Sequence, residues 1–160
     1  MAIFNQQTGT ANPFNGIDVG SYSTPTSADI DGDGDLDAIV GGGDGTLKYY
    51  KNTGSATNPV YTEQTGTANP FNGIDVGFGS TPTLADIDGD GDLDAIVGER
   101  DGTLKHYKNT GSAINPVYTV QTGTTNPFNG IDVGFGSTPT LADIDGDGDL
   151  DAIVGERDGT

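Results

Sequence analysis

A nine-residue acidic segment, Asp29-Ile30-Asp31-Gly32-Asp33-Gly34-Asp35-Leu36-Asp37, recurs unchanged as Asp86 to Asp94 and as Asp143 to Asp151, each copy 57 residues after the last. A fixed period of this size marks a repeat architecture, in which one supersecondary unit buries its apolar faces only against its neighbours. The copying runs well past the acidic segment. Residues 65–77 repeat residues 8–20 without change, and residues 122–134 differ from them only at Thr125.

Each copy crowds five carboxylates into nine residues. Two carboxylates ~5 Å apart repel by roughly 3 kcal/mol at an effective dielectric of ~20, so a compact loop of this kind calls for a cation. Side-chain oxygens at positions 1, 3 and 5, a glycine at 6 and a backbone carbonyl at 7 form the front of an oxygen cage suited to Ca²⁺. Those positions are Asp29, Asp31, Asp33, Gly34 and Asp35 in the first copy. They are Asp86, Asp88, Asp90 and Asp92 in the second, and Asp143, Asp145, Asp147 and Asp149 in the third, again with the last supplying its carbonyl. A helix-flanked calcium loop closes with Glu at position 12, but Val40, Val97 and Val154 stand there. Closure is therefore expected from position 9, which is Asp37, Asp94 and Asp151. Zinc or copper would want imidazole or thiolate, and the chain has one His and no Cys. Mg²⁺ retains its waters and demands near-octahedral geometry. The expectation is about three structural Ca²⁺ sites, one per repeat.

The segments flanking each loop are short and β-like. Thr24-Pro25-Thr26-Ser27-Ala28 leads in and Ala38-Ile39-Val40-Gly41 leads out, runs bounded by Pro and Gly. Four strands per period are predicted, at about 24–30, 36–41, 46–52 and 60–64. Asp44-Gly45, Asp101-Gly102 and Asp158-Gly159 mark hairpins. Apolar residues at both parities, as in Ala38, Ile39 and Val40, imply sheets covered on two faces. The fold class is all-β, a repeat protein of four-stranded antiparallel propeller-type blades, here a partial, unclosed propeller or fragment. Twenty-seven Gly and only 32% hydrophobic residues in 160 agree with many short elements and a thin core.

Net charge is −18, but fifteen of the twenty-four acids lie in the three loops, where three Ca²⁺ would bring it to −12. What remains disfavours nucleic acid and anionic membrane. No apolar run approaches the ~20 residues of a membrane span, so membrane insertion is not expected. Met1-Ala2-Ile3-Phe4-Asn5 shows no signal peptide.

The D-x-D-x-D-G-x-x-D loop, the Ala-Ile-Val-Gly after it, the Asp-Gly hairpin and the strand ending Tyr50-Lys51-Asn52 resemble the FG-GAP/VCBS repeat family of integrin-α-like β-propellers. Val76-Gly77-Phe78-Gly79-Ser80 and Val133-Gly134-Phe135-Gly136-Ser137 sit where that family has its Phe-Gly segment. The resemblance implies one Ca²⁺ in the loop joining the first two strands of each blade. It also implies a secreted or cell-surface adhesion or ligand-binding scaffold, and not an enzyme. The alternatives are a carbohydrate-binding, lectin-like module or the propeller portion of a secreted polysaccharide-degrading enzyme. The protein or glycan ligand is unspecified.

One repeat array is expected over 1–160: an N-terminal strand and connector (1–23), repeat 1 (24–80), repeat 2 (81–137) and a truncated repeat 3 (138–160). The resemblance implies a ring of about seven blades, which two complete and two partial units cannot make. Open blade edges are therefore expected to drive self-association. The first copy departs most, with Gly20-Ser21-Tyr22-Ser23 for the Phe-Gly segment, Ser27 for Leu84 and Leu141, and Gly42-Gly43 for Glu99-Arg100 and Glu156-Arg157. It is expected to pack less well.

Other signals have plainer readings. Asn12-Pro13-Phe14 and its copies Asn69-Pro70-Phe71 and Asn126-Pro127-Phe128 match an adaptor-binding tripeptide, but read better as a turn with Phe tucked against a blade. His106 replaces Tyr49 at one strand position and reads as a tolerated ring. Arg100 and Arg157 read as solvated turn tips. Gly41-Gly42-Gly43-Asp44-Gly45 lacks the Lys-Ser/Thr of a phosphate loop.

Overall fold

A computed structural model describes residues 3–159. The first antiparallel sheet runs in chain order through β1 (Thr24–Ala28), β2 (Asp37–Gly41), β3 (Leu47–Asn52) and β4 (Tyr61–Gln64). The second repeats it as β5 (Thr81–Ala85), β6 (Asp94–Gly98), β7 (Leu104–Asn109) and β8 (Tyr118–Gln121). The third contains β9 (Thr138–Ala142) and β10 (Asp151–Gly155). Register carries over by 57 residues: Ala28 opposes Asp37 as Ala85 opposes Asp94 and Ala142 opposes Asp151. The strands match the four-per-period pattern, and the sheets are unclosed. No helix among the described residues is long and apolar enough to cross a membrane.

Alternation of side chains along a strand explains the two apolar parities. Ile39 joins Leu47 and Tyr49 against Ala95, Val97 and Tyr107 of the second sheet, with Phe71 between. Ala38, Val40 and Tyr50 point the other way, onto Ile17, Val19 and Tyr61. The connector ahead of β1 thus covers the outer face of the first sheet, and β2 is buried throughout. The first copy, expected to pack less well, is closely covered at β2, while its β1 lies more open than β5. The third sheet is the exposed one, with Ile153 half open to solvent.

Phe71 shows how connectors join sheets. Asn69 accepts the Phe71 amide (2.9 Å) and donates its own side-chain N–H to the Leu47 carbonyl (3.1 Å). The ring stacks on Tyr118 at 4.5 Å and meets Tyr49 edge-on at 6.4 Å. Phe14 likewise stacks on Tyr61 at 4.2 Å. Asn-Pro-Phe is therefore a packing lock, as its plainer reading has it.

A second tie lies at the start of each inner strand. The Ser80 hydroxyl, fully buried, donates toward the Thr46 carbonyl (2.8 Å) and accepts the Gly42 amide (2.9 Å). Ser137 does the same with Thr103 (2.9 Å) and Glu99 (2.8 Å). Each connector is bonded to the β2–β3-type turn of the sheet before it.

Phe4-Asn5-Gln6-Gln7, which aligns with Tyr61–Gln64 and is the strand expected within residues 1–23, belongs to no sheet. Phe4 is 98% exposed. A fourth strand needs a third beside it, and the third sheet has only two.

Candidate metal centres

Each acidic loop is shaped by its first aspartate. Asp29 accepts the amides of Gly32 (2.7 Å) and Gly34 (3.0 Å), one through each carboxylate oxygen. Both glycines take left-handed backbone angles, φ 72° and 92°, which a side chain would oppose. Asp86 and Asp143 hold their loops in the same way. The fold turns the following carboxylates toward one another.

Oxygens of Asp29, Asp31 and Asp33 lie within 4.8 Å of one another, as do those of Asp86, Asp88 and Asp90. In the third loop the convergent set is Asp143, Asp145 and Asp151. The first, third and fifth positions are thus brought together in two loops, and the first, third and ninth in the other. Asp147 lies outside that set and accepts the Asp149 amide (3.0 Å). Asp35, Asp92 and Asp149 follow the second glycine of each loop, and Asp33 and Asp90 accept the amides of the first two.

The ninth residue has a structural duty that sequence spacing did not disclose. Asp37 is fully buried and accepts the Asn52 amide (2.7 Å), the Tyr49 hydroxyl (2.8 Å) and the Ile30 amide (3.2 Å). It binds the start of the loop to the end of β3. Asp94 keeps the Asn109 amide (2.7 Å). His106 stands where Tyr49 does, its Nε2 at 3.7 Å, beyond hydrogen-bond reach. Burial pushes both Asp37 and Asp94 above the usual carboxylate range, against the amides that stabilise their charge. Burial lowers His106, keeping it neutral.

The donor set is all oxygen, and three carboxylate oxygens, Asp31 Oδ1, Asp35 Oδ1 and Asp94 Oδ2, are buried without a hydrogen-bond partner. Loss of water and the charges of Asp33, Asp31 and Asp29 hold Asp35 up. Unpaired carboxylate oxygens in a hard-oxygen cluster fit a hard divalent cation. Lysines partly meet the demand. Lys51 bonds Asp31 and lies 3.4 Å from Asp33. Lys108 bonds Asp88 and lies 3.2 Å from Asp90. These ammonium groups are the counter-ions that the strand spacing supplies, and they were not anticipated. The signal was present in the sequence, since both sit in the third strand of their sheets opposite an acidic loop.

A sequence model of the FG-GAP-like repeat matches residues 29–97 and again residues 86–154, which together cover most of the chain. No curated protein matches it.

Proposed function

Since the chain belongs to the FG-GAP-like repeat family, we propose that it is a non-catalytic, calcium-loaded β-propeller repeat module acting as an extracellular adhesion or ligand-binding scaffold. The observation that carries this reading is the set of buried, unpartnered carboxylate oxygens in and beside the repeated triplets. In the proposed cage Asp29, Asp31, Asp33 and the Asp35 carbonyl take one ion, with Asp37 closing it from the strand. The other two loops follow by the 57-residue offset. Ca²⁺ would draw the loop onto the β1–β2 and β5–β6 hairpins and leave the opposite ends of the sheets to a partner.

The units proposed are residues 24–80, 81–137 and 138–160. The exposed β10 edge supports self-association through sheet edges. Light scattering at increasing concentration should then report species above the monomer mass.

Titration calorimetry against Ca²⁺ tests the main reading, with melting in calcium and in chelator alongside. At calcium 100-fold above the dissociation constant, each site adds about 2.7 kcal/mol. Three such sites would raise the melting point by well over 10 °C at about 2–4 °C per kcal/mol. No heat of binding and identical melts would end the proposal.

A further inference from the structure

The sheet ends remote from the acidic loops carry a second assembly that the calcium reading does not use. β1 starts and β2 ends there, and the connectors holding Phe78 and Phe135 pass over the turns holding Arg100 and Arg157. The Arg100 guanidinium lies 5.0 Å from the Phe78 ring centre and 4.9 Å from that of Phe135, and Arg157 lies 5.2 Å from Phe135. Tyr22 meets Phe78 edge-on at 6.1 Å and ends the ladder. These five residues line a groove of about 410 Å³, within the size range of ligand sites.

Three observations say that the ladder is built to meet an anion. The chain has twenty-four acids and only two arginines, yet among the described residues neither arginine is ion-paired with a carboxylate. Glu99, next to Arg100, is turned away to Lys105 (2.8 Å) and Thr103. The arginines are also held in place: the Arg100 amide donates to Phe78 (2.9 Å), its carbonyl accepts Gly136 (2.8 Å), and the Arg157 amide donates to Phe135 (2.8 Å). A guanidinium held over an aromatic ring retains the N–H fork that matches carboxylate geometry. Finally, Tyr22 holds φ 58°, at the position where the other copies have glycine, and is 74% exposed. A strained, exposed ring at the end of a groove is a mark of function.

From this geometry we infer that the groove binds an extended acidic, proline-containing peptide segment of a partner protein, with Arg100 and Arg157 each gripping one carboxylate. Both guanidinium carbons are close to 5 Å from the same ring centre, so they are separated by no more than twice that. In a polyproline-II strand, residues three apart share a face at about 3.1 Å rise each, about 9 Å in all, which falls within that upper limit. Such strands dock in aromatic-lined grooves at low ordering cost. A sugar ring would need an open aromatic face, and both phenylalanines carry a guanidinium, which leaves only Tyr22 at the groove's end to offer one. The inference deepens the scaffold reading by naming the partner's chemistry.

The test uses the full chain with calcium and the peptide acetyl-Glu-Pro-Pro-Glu-amide, read by calorimetry and by the arginine Nε–Hε NMR signals. Binding with a Kd below ~1 mM is expected, and the Gln-Pro-Pro-Gln analogue should bind at least roughly tenfold more weakly, as charged hydrogen bonds require. Arg100→Gln and Arg157→Gln should each lose a similar factor. Arg100→Lys, which keeps the charge and whose fold is checked by its melting point in calcium, should lose most of the binding too, because an ammonium offers no fork. Equal binding of the two peptides, or unchanged affinity in Arg100→Lys, would overturn the inference. Stronger shifts of the same signals by digalacturonate than by the peptide would do so as well. The calcium-dependent rise in melting point, measured on the same samples, separates this outcome from failure of the scaffold reading.

Discussion

Three glycines close identical Asp-Ala-Ile-Val-Gly strands, and only two of them have a sheet stacked beyond. A Cβ built on Gly41 would fall inside 3.0 Å of the Ser80 carbonyl, and one on Gly98 inside 3.0 Å of the Ser137 carbonyl and the Pro139 ring. On Gly155 the nearest atom is Thr138 Oγ1 at 3.9 Å, ordinary contact. None of the three has a left-handed backbone, so alanine tests steric room alone, against the next sheet and against the Thr24 or Thr81 hydroxyl of the neighbouring strand, which would also fall inside 3.0 Å. Forcing a methyl into a packed seam costs about 1–3 kcal/mol. The Ser137 hydroxyl bonds that the shift would break add about 1 kcal/mol each. Gly98→Ala should therefore lose about 3 kcal/mol or more, a fall of roughly 6–12 °C in calcium at 2–4 °C per kcal/mol. Gly41→Ala should behave alike. Gly155→Ala should gain about 0.4–1 kcal/mol by stiffening the unfolded chain. Scanning calorimetry of the three variants decides the matter, and equal shifts for Gly98→Ala and Gly155→Ala would refute the stacking of successive sheets through these seams.

Two further outcomes follow from the acidic loops. His106→Tyr should restore to Asp94 the hydroxyl that Asp37 receives from Tyr49, raising stability in chelator by about 1.5–3 kcal/mol at neutral pH. The pH profile should change with it. Burial depresses His106, so the unfolded chain takes its proton first, and wild-type stability falls as pH drops below about 6.5. Asp94 is raised, so the folded chain takes that proton first, and its effect on acidification is a gain that begins above the usual Asp value of about 4. The variant should lose the first effect and keep the second, as melting from about pH 7.5 to 4.5 would reveal. Lys51→Met removes the ammonium from the first loop. It should lower calcium-free stability by no more than about 1 kcal/mol, since the pair is partly exposed, and should enlarge the calcium-induced rise in melting point. An unchanged rise would show that the lysine does not compete with the ion.

The strands were legible because Pro, Gly and Asp-Gly punctuate every period and β-branched residues fill the intervals. Predicted and observed bounds differ by a residue or two for most elements. The convergence of Asp29, Asp31 and Asp33 was legible too, from alternation with two glycines. Spacing could not show that Asp37 faces inward to three donors, because its partners Tyr49 and Asn52 come from another strand. Nor could it show Arg100 between two rings. One ring comes from the connector before it and the other from the connector 35 residues after it, and such proximity exists only once sheets stack. Turn position alone suggested a solvated tip.

The Ser80 and Ser137 ties, like the Phe71 lock, are spelled in the same letters once every 57 residues. Excising or duplicating one whole period therefore rejoins a serine to an equivalent turn and a phenylalanine to an equivalent tyrosine, with no junction that has not already been made elsewhere in the molecule. Loss or gain of a whole period would shorten or lengthen this array while every surviving joint stayed intact.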